Sequence, residues 1–168
     1  MSELPPSRSV LLIVGGSIAA CKTPELVRLL LAEGIQVRCV LTEGGRQFVT
    51  PLTLQALSGQ PVHTDLFSLT AEQEMGHIAL SRWADLVLVC PASANLLARM
   101  ANGTAEDLAG ALLLATDAPV MAVPAMNVRM WEHLATQANV ALLAARGVQI
   151  IPPACGPMAC GEFGPGRM

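Results

Sequence analysis

Ser9-Val-Leu-Leu-Ile-Val14, running straight into Gly15-Gly16-Ser17-Ile18-Ala19-Ala20, decides the fold. The first stretch is a continuous uncharged, apolar run, the pattern of a strand buried on both faces. The glycine pair ends it in a tight turn. A helix then follows, with Thr23 and Pro24 as its cap and opening, Glu25 to Glu33 as its body and Gly34 as its stop. Working outward, Ile35 to Leu41 supplies a second strand, Thr50-Pro51 repeats the cap-plus-proline signal before Leu52 to Leu57, and Leu86 to Cys90 is another apolar strand stopped by Pro91. Gly76-His77-Ile78 opens a short helical pattern through Leu80 and Trp83. Helices are expected at Asn95 to Ala101, Glu106 to Ala115 and Trp131 to Arg146, and strands at Val120 to Val123 and Val148 to Ile151. Alternation of strand and helix makes this an α/β chain with a central parallel sheet and right-handed crossovers. Ligands in such sheets sit beyond the carboxyl ends of the strands, so the segments after Val14, Leu41, Cys90 and Val123 should converge on one site.

A chain of 168 residues fits one domain, taken here as 1–168. It is 52% hydrophobic and only 14% charged, which asks for something to cover its surface. No run reaches the roughly 18 apolar residues of a spanning helix, and Met1 to Ser9 lacks a signal-peptide core. A homo-oligomer in the cytoplasm is the better expectation, with no membrane partner. Net charge is −3 without a basic run, so nucleic acid is not an expected partner either. Five cysteines without a C-x-x-C pair read as reduced thiols, and no metal site is expected.

The chemistry-bearing motifs each carry two readings. Gly15-Gly16-Ser17-Ile18 is either a bare tight turn or a cradle whose backbone N–H groups hold a phosphate at a helix start. Its spacing departs from G-x-G-x-x-G, which favours a mononucleotide, although Glu43 at the end of the second strand keeps a nicotinamide dinucleotide open. Ser93 in Pro91-Ala-Ser-Ala-Asn95 is a helix cap, a ligand contact, or both, and Asn95 is a second uncharged contact. His77 is a surface imidazole or a proton exchanger in a cleft. Asn127 in Pro124-Ala-Met126-Asn127 is a cap or an amide that holds a carboxylate. Met158-Ala159-Cys160-Gly-Glu-Phe-Gly-Pro-Gly-Arg-Met168 reads as a loop, either a loose terminus or a lid bearing a thiol.

Together, Gly15 to Ala20, Pro91 to Asn95, Met75-Gly-His77-Ile78, Pro124 to Asn127 and Ala159-Cys160-Gly161 resemble the homo-oligomeric flavin-containing cysteine decarboxylases, in order from about Ser9 to Met168. The ACG element resembles the branch of that family acting in coenzyme A synthesis. The resemblance implies a flavodoxin-like, Rossmann-type three-layer sandwich that binds FMN, assembled as a trimer or dodecamer of trimers. It also implies decarboxylation of 4'-phosphopantothenoylcysteine to 4'-phosphopantetheine. His77 matches the active-site histidine, Asn127 the residue holding the substrate carboxylate, and Cys160 the proton donor on the substrate-covering flap, with Met126 and Ala159 beside the substrate. Gly15, Gly16, Ser17, Ile18, Thr42, Phe48, Ser93 and Asn95 fall where the family contacts FMN. Cys21 departs from the family pattern, where an aromatic residue commonly precedes the counterpart of Lys22.

The implied route explains the flavin. Direct loss of CO2 from a cysteine leaves a carbanion without an electron sink. Oxidation of the substrate to a thioaldehyde places the carboxylate β to C=S, CO2 loss gives an enethiolate, Cys160 supplies a proton, and re-reduction gives the thiol. An amide suits the carboxylate here, because a full counter-charge would stabilise the very charge that disappears in the transition state. Relatives in bacteria often carry a C-terminal ligase, so the chain is either a stand-alone enzyme or the N-terminal half of a bifunctional decarboxylase-ligase. A peptidyl-cysteine decarboxylase of lantibiotic maturation, a flavin prenyltransferase and a non-catalytic FMN-binding regulatory subunit are the competing expectations.

Overall fold

The computed structural model describes residues 8–66 and 76–168. The first seven residues of the expected signal-free start, and Met75 of the His77 motif, lie outside them. β1 (Ser9–Val14) is buried along its whole length. Its alternate side chains enter two different apolar clusters, Leu11 and Ile13 on one face and Val10, Leu12 and Val14 on the other. A strand at the centre of a doubly covered parallel sheet requires that arrangement. β2 (Gln36–Leu41), β3 (Val62–His63), β4 (Leu86–Ala92), β5 (Val120–Pro124) and β6 (Gln149–Ile150) complete the sheet in the order β3-β2-β1-β4-β5-β6, every pair parallel.

α1 (Thr23–Ala32) and α2 (Pro51–Ser58) cover one face, contributing Val27 and Leu54 to the cluster around Leu12. α3 (Gly76–Trp83), α4 (Ala94–Asn102), α5 (Leu108–Ala115) and α7 (Leu134–Ala145) cover the other, through Leu80, Leu97, Leu112 and Leu143. The expected three layers are present. No helix among the described residues is long and apolar enough to cross a membrane. Chain order reverses direction between β1 and β4, which makes the gap beyond their carboxyl ends the topological switch point where open sheets bind ligands.

Four local readings change. Thr23 does not cap α1 with its side chain: a 3-10 turn (Ile18–Lys22) precedes the helix, and the Thr23 hydroxyl donates instead to the Ala20 carbonyl at 2.7 Å. Pro91 does not stop β4. The strand continues through a cis Cys90–Pro91 peptide to Ala92, across a register shift against β5 where the missing proline N–H leaves no ladder bond unmade. The helix expected over Trp131 to Arg146 divides into α6 (Val128–Glu132) and α7, because His133 is extended and its Nδ1 accepts from Ala135 N at 3.1 Å to cap the second helix. Finally, the segment read as a loop forms an antiparallel hairpin, β7 (Ala154–Pro157) with β8 (Phe163–Arg167), and α6 packs against β8.

Candidate active site

The end of β1 and the end of β4 touch directly. Gly15 N–H donates to the Pro91 carbonyl at 3.0 Å, and a Cβ at Gly15 would stand 2.4 Å from that oxygen, so any larger residue would part the two strand ends. A Cβ on Gly16 would meet Gly44 Cα at 2.9 Å, so the loops after β1 and β2 also close on each other through glycine. Thr42 holds that second loop in place: its hydroxyl donates to the Val14 carbonyl at 2.9 Å and accepts from Gly45 N at 3.0 Å. Ser17 caps the 3-10 turn, accepting from Ala19 N at 3.3 Å, and Ser93 caps α4, accepting from Leu96 N at 3.2 Å. Both serines line the same cavity, so for each the cap and the cavity wall coincide in one geometry.

This cavity, of about 490 Å³, lies within the roughly 300–1,000 Å³ of small-molecule sites. Gly16, Ser17 and Ile18 form one wall, Ser93 and Ala94 another, and Met126, Asn127, Ala159 and Cys160 close it from the hairpin side. Four methionines, Met126, Met130, Met158 and Met168, make much of its lining apolar and adaptable. The charged side chains among its lining residues are Lys22 and Arg167, both cations, and Lys22 Nζ donates to the Met168 carbonyl. Such a lining suits a ligand with an anionic group and an apolar body.

Asn127 is placed by two elements. Its Oδ1 accepts from Arg129 N at 2.8 Å to cap α6, which fixes the amide so that Nδ2 points at the hairpin. The hairpin is tied to the same loop by Met126 N donating to the Gly166 carbonyl at 3.1 Å. Asn127 Nδ2 consequently lies 3.7 Å from Cys160 Sγ and donates to the Glu162 carboxylate, while Cys160 Sγ lies 3.7 Å from the same carboxylate oxygen. Groups 33 residues apart in sequence thus share one corner of the cavity. Glu162 and Lys22 were not singled out from the sequence. The signal for Glu162 was its position two residues beyond Cys160 in the glycine-rich end.

Other candidates fall elsewhere. Within the single chain His77 does not reach the Asn127–Cys160 corner: half-buried at the start of α3, it lines a second cavity of about 210 Å³ with Pro61, His63, Leu66 and Leu108. Burial, and then the Arg38 charge, hold the neighbouring His63 below the usual imidazole range. Gly15 supports the cavity from behind, Thr42 is committed to its backbone bonds, and Asn95 and Phe48 are exposed on the first turn of α4 and in the loop after β2. None of these four lines the main cavity. No cluster of three metal-ligating side chains occurs among the described residues.

The flavoprotein family model matches residues 2–168 of this chain. The coenzyme A biosynthesis bifunctional protein CoaBC of Vibrio parahaemolyticus is 52% identical over 161 residues, which is 96% of this chain and 40% of that protein. The chain therefore spans less than half the length of the curated relatives it matches. Among solved structures, a cysteine-to-serine mutant of a PPC decarboxylase complexed with pantothenoylaminoethenethiol aligns with a TM-score of 0.82 at 32% identity, covering 96% of this chain and 91% of that one. The FMN-dependent cysteine decarboxylase SpaF aligns with a TM-score of 0.82 at 31% identity, covering 96% and 90%.

Proposed function

This chain belongs to the flavoprotein family, and on that premise we propose that it is an FMN-dependent decarboxylase domain converting 4'-phosphopantothenoylcysteine to 4'-phosphopantetheine in coenzyme A synthesis. The observation that carries the reading is the Asn127 amide beside the Cys160 thiol, 3.7 Å apart over a cavity at the switch point. A relative 52% identical that is named for coenzyme A biosynthesis, and a structural neighbour holding an enethiol, support the substrate class.

The residues present fit FMN. Gly16 and Ile18 at the turn, with the Ser17 hydroxyl between them and Lys22 one turn on, offer backbone N–H groups, a hydroxyl and a cation to a phosphate, and the Glu162 carboxylate sits on Asn127 on the hairpin side of the cavity. Ser93 and the methionine wall suit the ribityl chain and the ring. When bound, FMN supplies the reversible two-electron acceptor that the cysteine carboxylate lacks. Asn127 orients that carboxylate without a counter-charge, and Cys160 Sγ delivers the proton before the thiol is restored. The hairpin excludes water while CO2 leaves.

His77 joins this site across a subunit contact. Ile18, Met130 and Phe163 stand 54%, 48% and 73% exposed around the cavity mouth and the hairpin, an apolar rim that a second copy of the chain would cover. A cytoplasmic trimer with a site at each contact, working beside a ligase that joins cysteine to phosphopantothenate, completes the proposal. The deciding experiment is CO2 release by FMN-loaded protein from phosphopantothenoylcysteine and, in parallel, from a peptide ending in cysteine. Release from the first alone is the expected result. Release from the peptide alone would transfer the domain to peptide modification, and none from either would end the decarboxylase reading.

A further inference from the structure

Glu162 puts a carboxylate on the one amide that this reading reserves for the substrate's carboxylate. Its Oε2 accepts from Asn127 Nδ2 and lies 3.7 Å from Cys160 Sγ. The contact is positioned from the backbone on both sides. Asn127 cannot turn its amide away, since Oδ1 is held by Arg129 N at 2.8 Å. Glu162 is held by a tight turn in which its carbonyl accepts from Met158 N at 2.8 Å and Gly161 N donates to the Met158 carbonyl at 3.0 Å. The hairpin is further anchored by the Met126 to Gly166 bond at 3.1 Å.

We infer that Glu162 is a specificity-determining placeholder: its carboxylate occupies Asn127 when the site lacks substrate, and the substrate carboxylate must displace it. The inference rests on the decarboxylase reading above. One Nδ2 group facing the hairpin cannot serve two carboxylates in the same direction, and two such anions on one amide repel each other. Glu162 therefore competes only with ligands that carry a carboxylate at this point. The decarboxylated product has nothing with which to hold Asn127. Glu162 returns to the amide as CO2 departs, so the exchange favours release of the product over rebinding. The same competition sets a threshold for entry, because a ligand must contribute further contacts along the cavity to open the Glu162–Asn127 bond.

Two unreactive ligands that differ in one group test this. The serine analogue of the substrate, 4'-phosphopantothenoylserine, keeps the carboxylate without an oxidisable thiol, and 4'-phosphopantothenoylethanolamine lacks both. Their dissociation constants are measured by calorimetry on FMN-loaded wild type, Glu162→Ala and Glu162→Gln. Removing the competitor is expected to tighten the serine analogue about five- to tenfold in Glu162→Ala, the size of an ordinary net hydrogen bond at an exposed site, and to leave the ethanolamine compound unchanged. Glu162→Gln should fall between, since its neutral carbonyl still accepts from Asn127 more weakly. A merely structural hairpin residue would weaken both ligands together. An unchanged or reversed ratio of the two constants overturns the placeholder while the decarboxylase reading stands. Failure of wild type to bind either ligand removes that reading and this inference with it.

Discussion

Five thiols share this chain, and their surroundings separate them. Burial pushes Cys39 up to about 12 and Cys90 up to about 11, so both stay protonated and inert in the core, whereas Cys160 is exposed on the hairpin turn beside Asn127. Cys160→Ser is accordingly expected to release CO2 in a single turnover yet form no 4'-phosphopantetheine; ordinary thiol product in a mass assay would remove Cys160 from proton delivery. Asn127 carries two roles that one substitution separates. Asn127→Asp keeps a side-chain oxygen for Arg129 N, and aspartate caps helices as well as asparagine, so the cap survives and the exposed Glu162 contact that is lost should limit the cost in thermal stability to about 1 kcal/mol. Its charge opposes the substrate carboxylate, and kcat/KM should fall by about a hundredfold or more. A stable variant with full activity would leave Asn127 as a cap and nothing else. Both readings of Asn127 were legible in Pro124-Ala-Met-Asn127, because the residue follows a strand and opens a helix. The Glu162 contact was not, since nothing in a glycine-rich terminus announces which backbone it pairs with.

At the scale of elements, the apolar runs were the readable part. A strand covered on both faces has to be largely apolar, so β1, β4 and β5 stand close to where their sequences place them, and β2, with Gln36 and Arg38 near its start, becomes continuously apolar from Cys39 to Leu41. Two of the misses share a cause, a partner distant in sequence. β8 is Phe163–Arg167, with two glycines and a proline, and it exists because it pairs with Ala154–Pro157 and packs on α6. β3 has only two residues and is defined by its register against Cys39 and Val40. The junction of α4 and α5 was read a residue or two out, and its chemistry went unnoticed. There Asp107 caps α5, accepting from Gly110 N at 2.9 Å, and takes Arg99 in a bidentate pair at 2.9 and 2.6 Å. Burial tends to raise the Asp107 carboxyl, but the hydrogen bonds from Arg99 and from Gly110 N–H, with the Arg99 charge, outweigh it and hold it below the usual carboxylate range. Because the folded value is depressed, this stabilisation is present above the unfolded carboxylate range and is lost as pH falls through the lowered folded one. Asp107→Ala should cost about 1–2 kcal/mol in urea unfolding at neutral pH, mostly as a lost cap, with the ion pair discounted for its partial exposure. The loss relative to wild type should shrink as the pH is taken below about 4, where the carboxyl takes up a proton first in the unfolded chain and, lower still, in the folded one. A difference that stays constant well below that pH would mean that the pair contributes nothing through its charge.

The whole molecule poses a question that a single chain leaves open, because the sequence placed three groups at one site and the fold gathers two of them. Asn127 and Cys160 meet because the Met126 N to Gly166 carbonyl bond ties the loop after β5 to the hairpin. His77 starts α3 on the far-edge side, lining its own cavity with His63 and Leu66, and sequence order carries no sign of which subunit's cavity it serves. If the proposed contact is right, each site takes His77 from one chain and the Asn127–Cys160 pair from another. His77→Asn and Cys160→Ser proteins are each expected to be inactive in forming 4'-phosphopantetheine while keeping FMN. Mixed after reversible dissociation, or co-expressed with separate tags, they should regain product formation, because a contact joining the His77 of a Cys160→Ser chain to the Cys160 of a His77→Asn chain is intact. Random mixing makes about a quarter of the contacts in a heterologous ring of this kind competent, so recovery should approach that fraction of the wild-type rate. Doubling both substitutions in one chain and mixing it with wild type gives the matching control, in which active contacts again fall to about a quarter if the site is shared, but to about half if each chain carries its own. A mixture of the two single variants that stays inactive despite proven co-assembly would return His77 to its own chain, and the second cavity would then be only a packing defect beside α3.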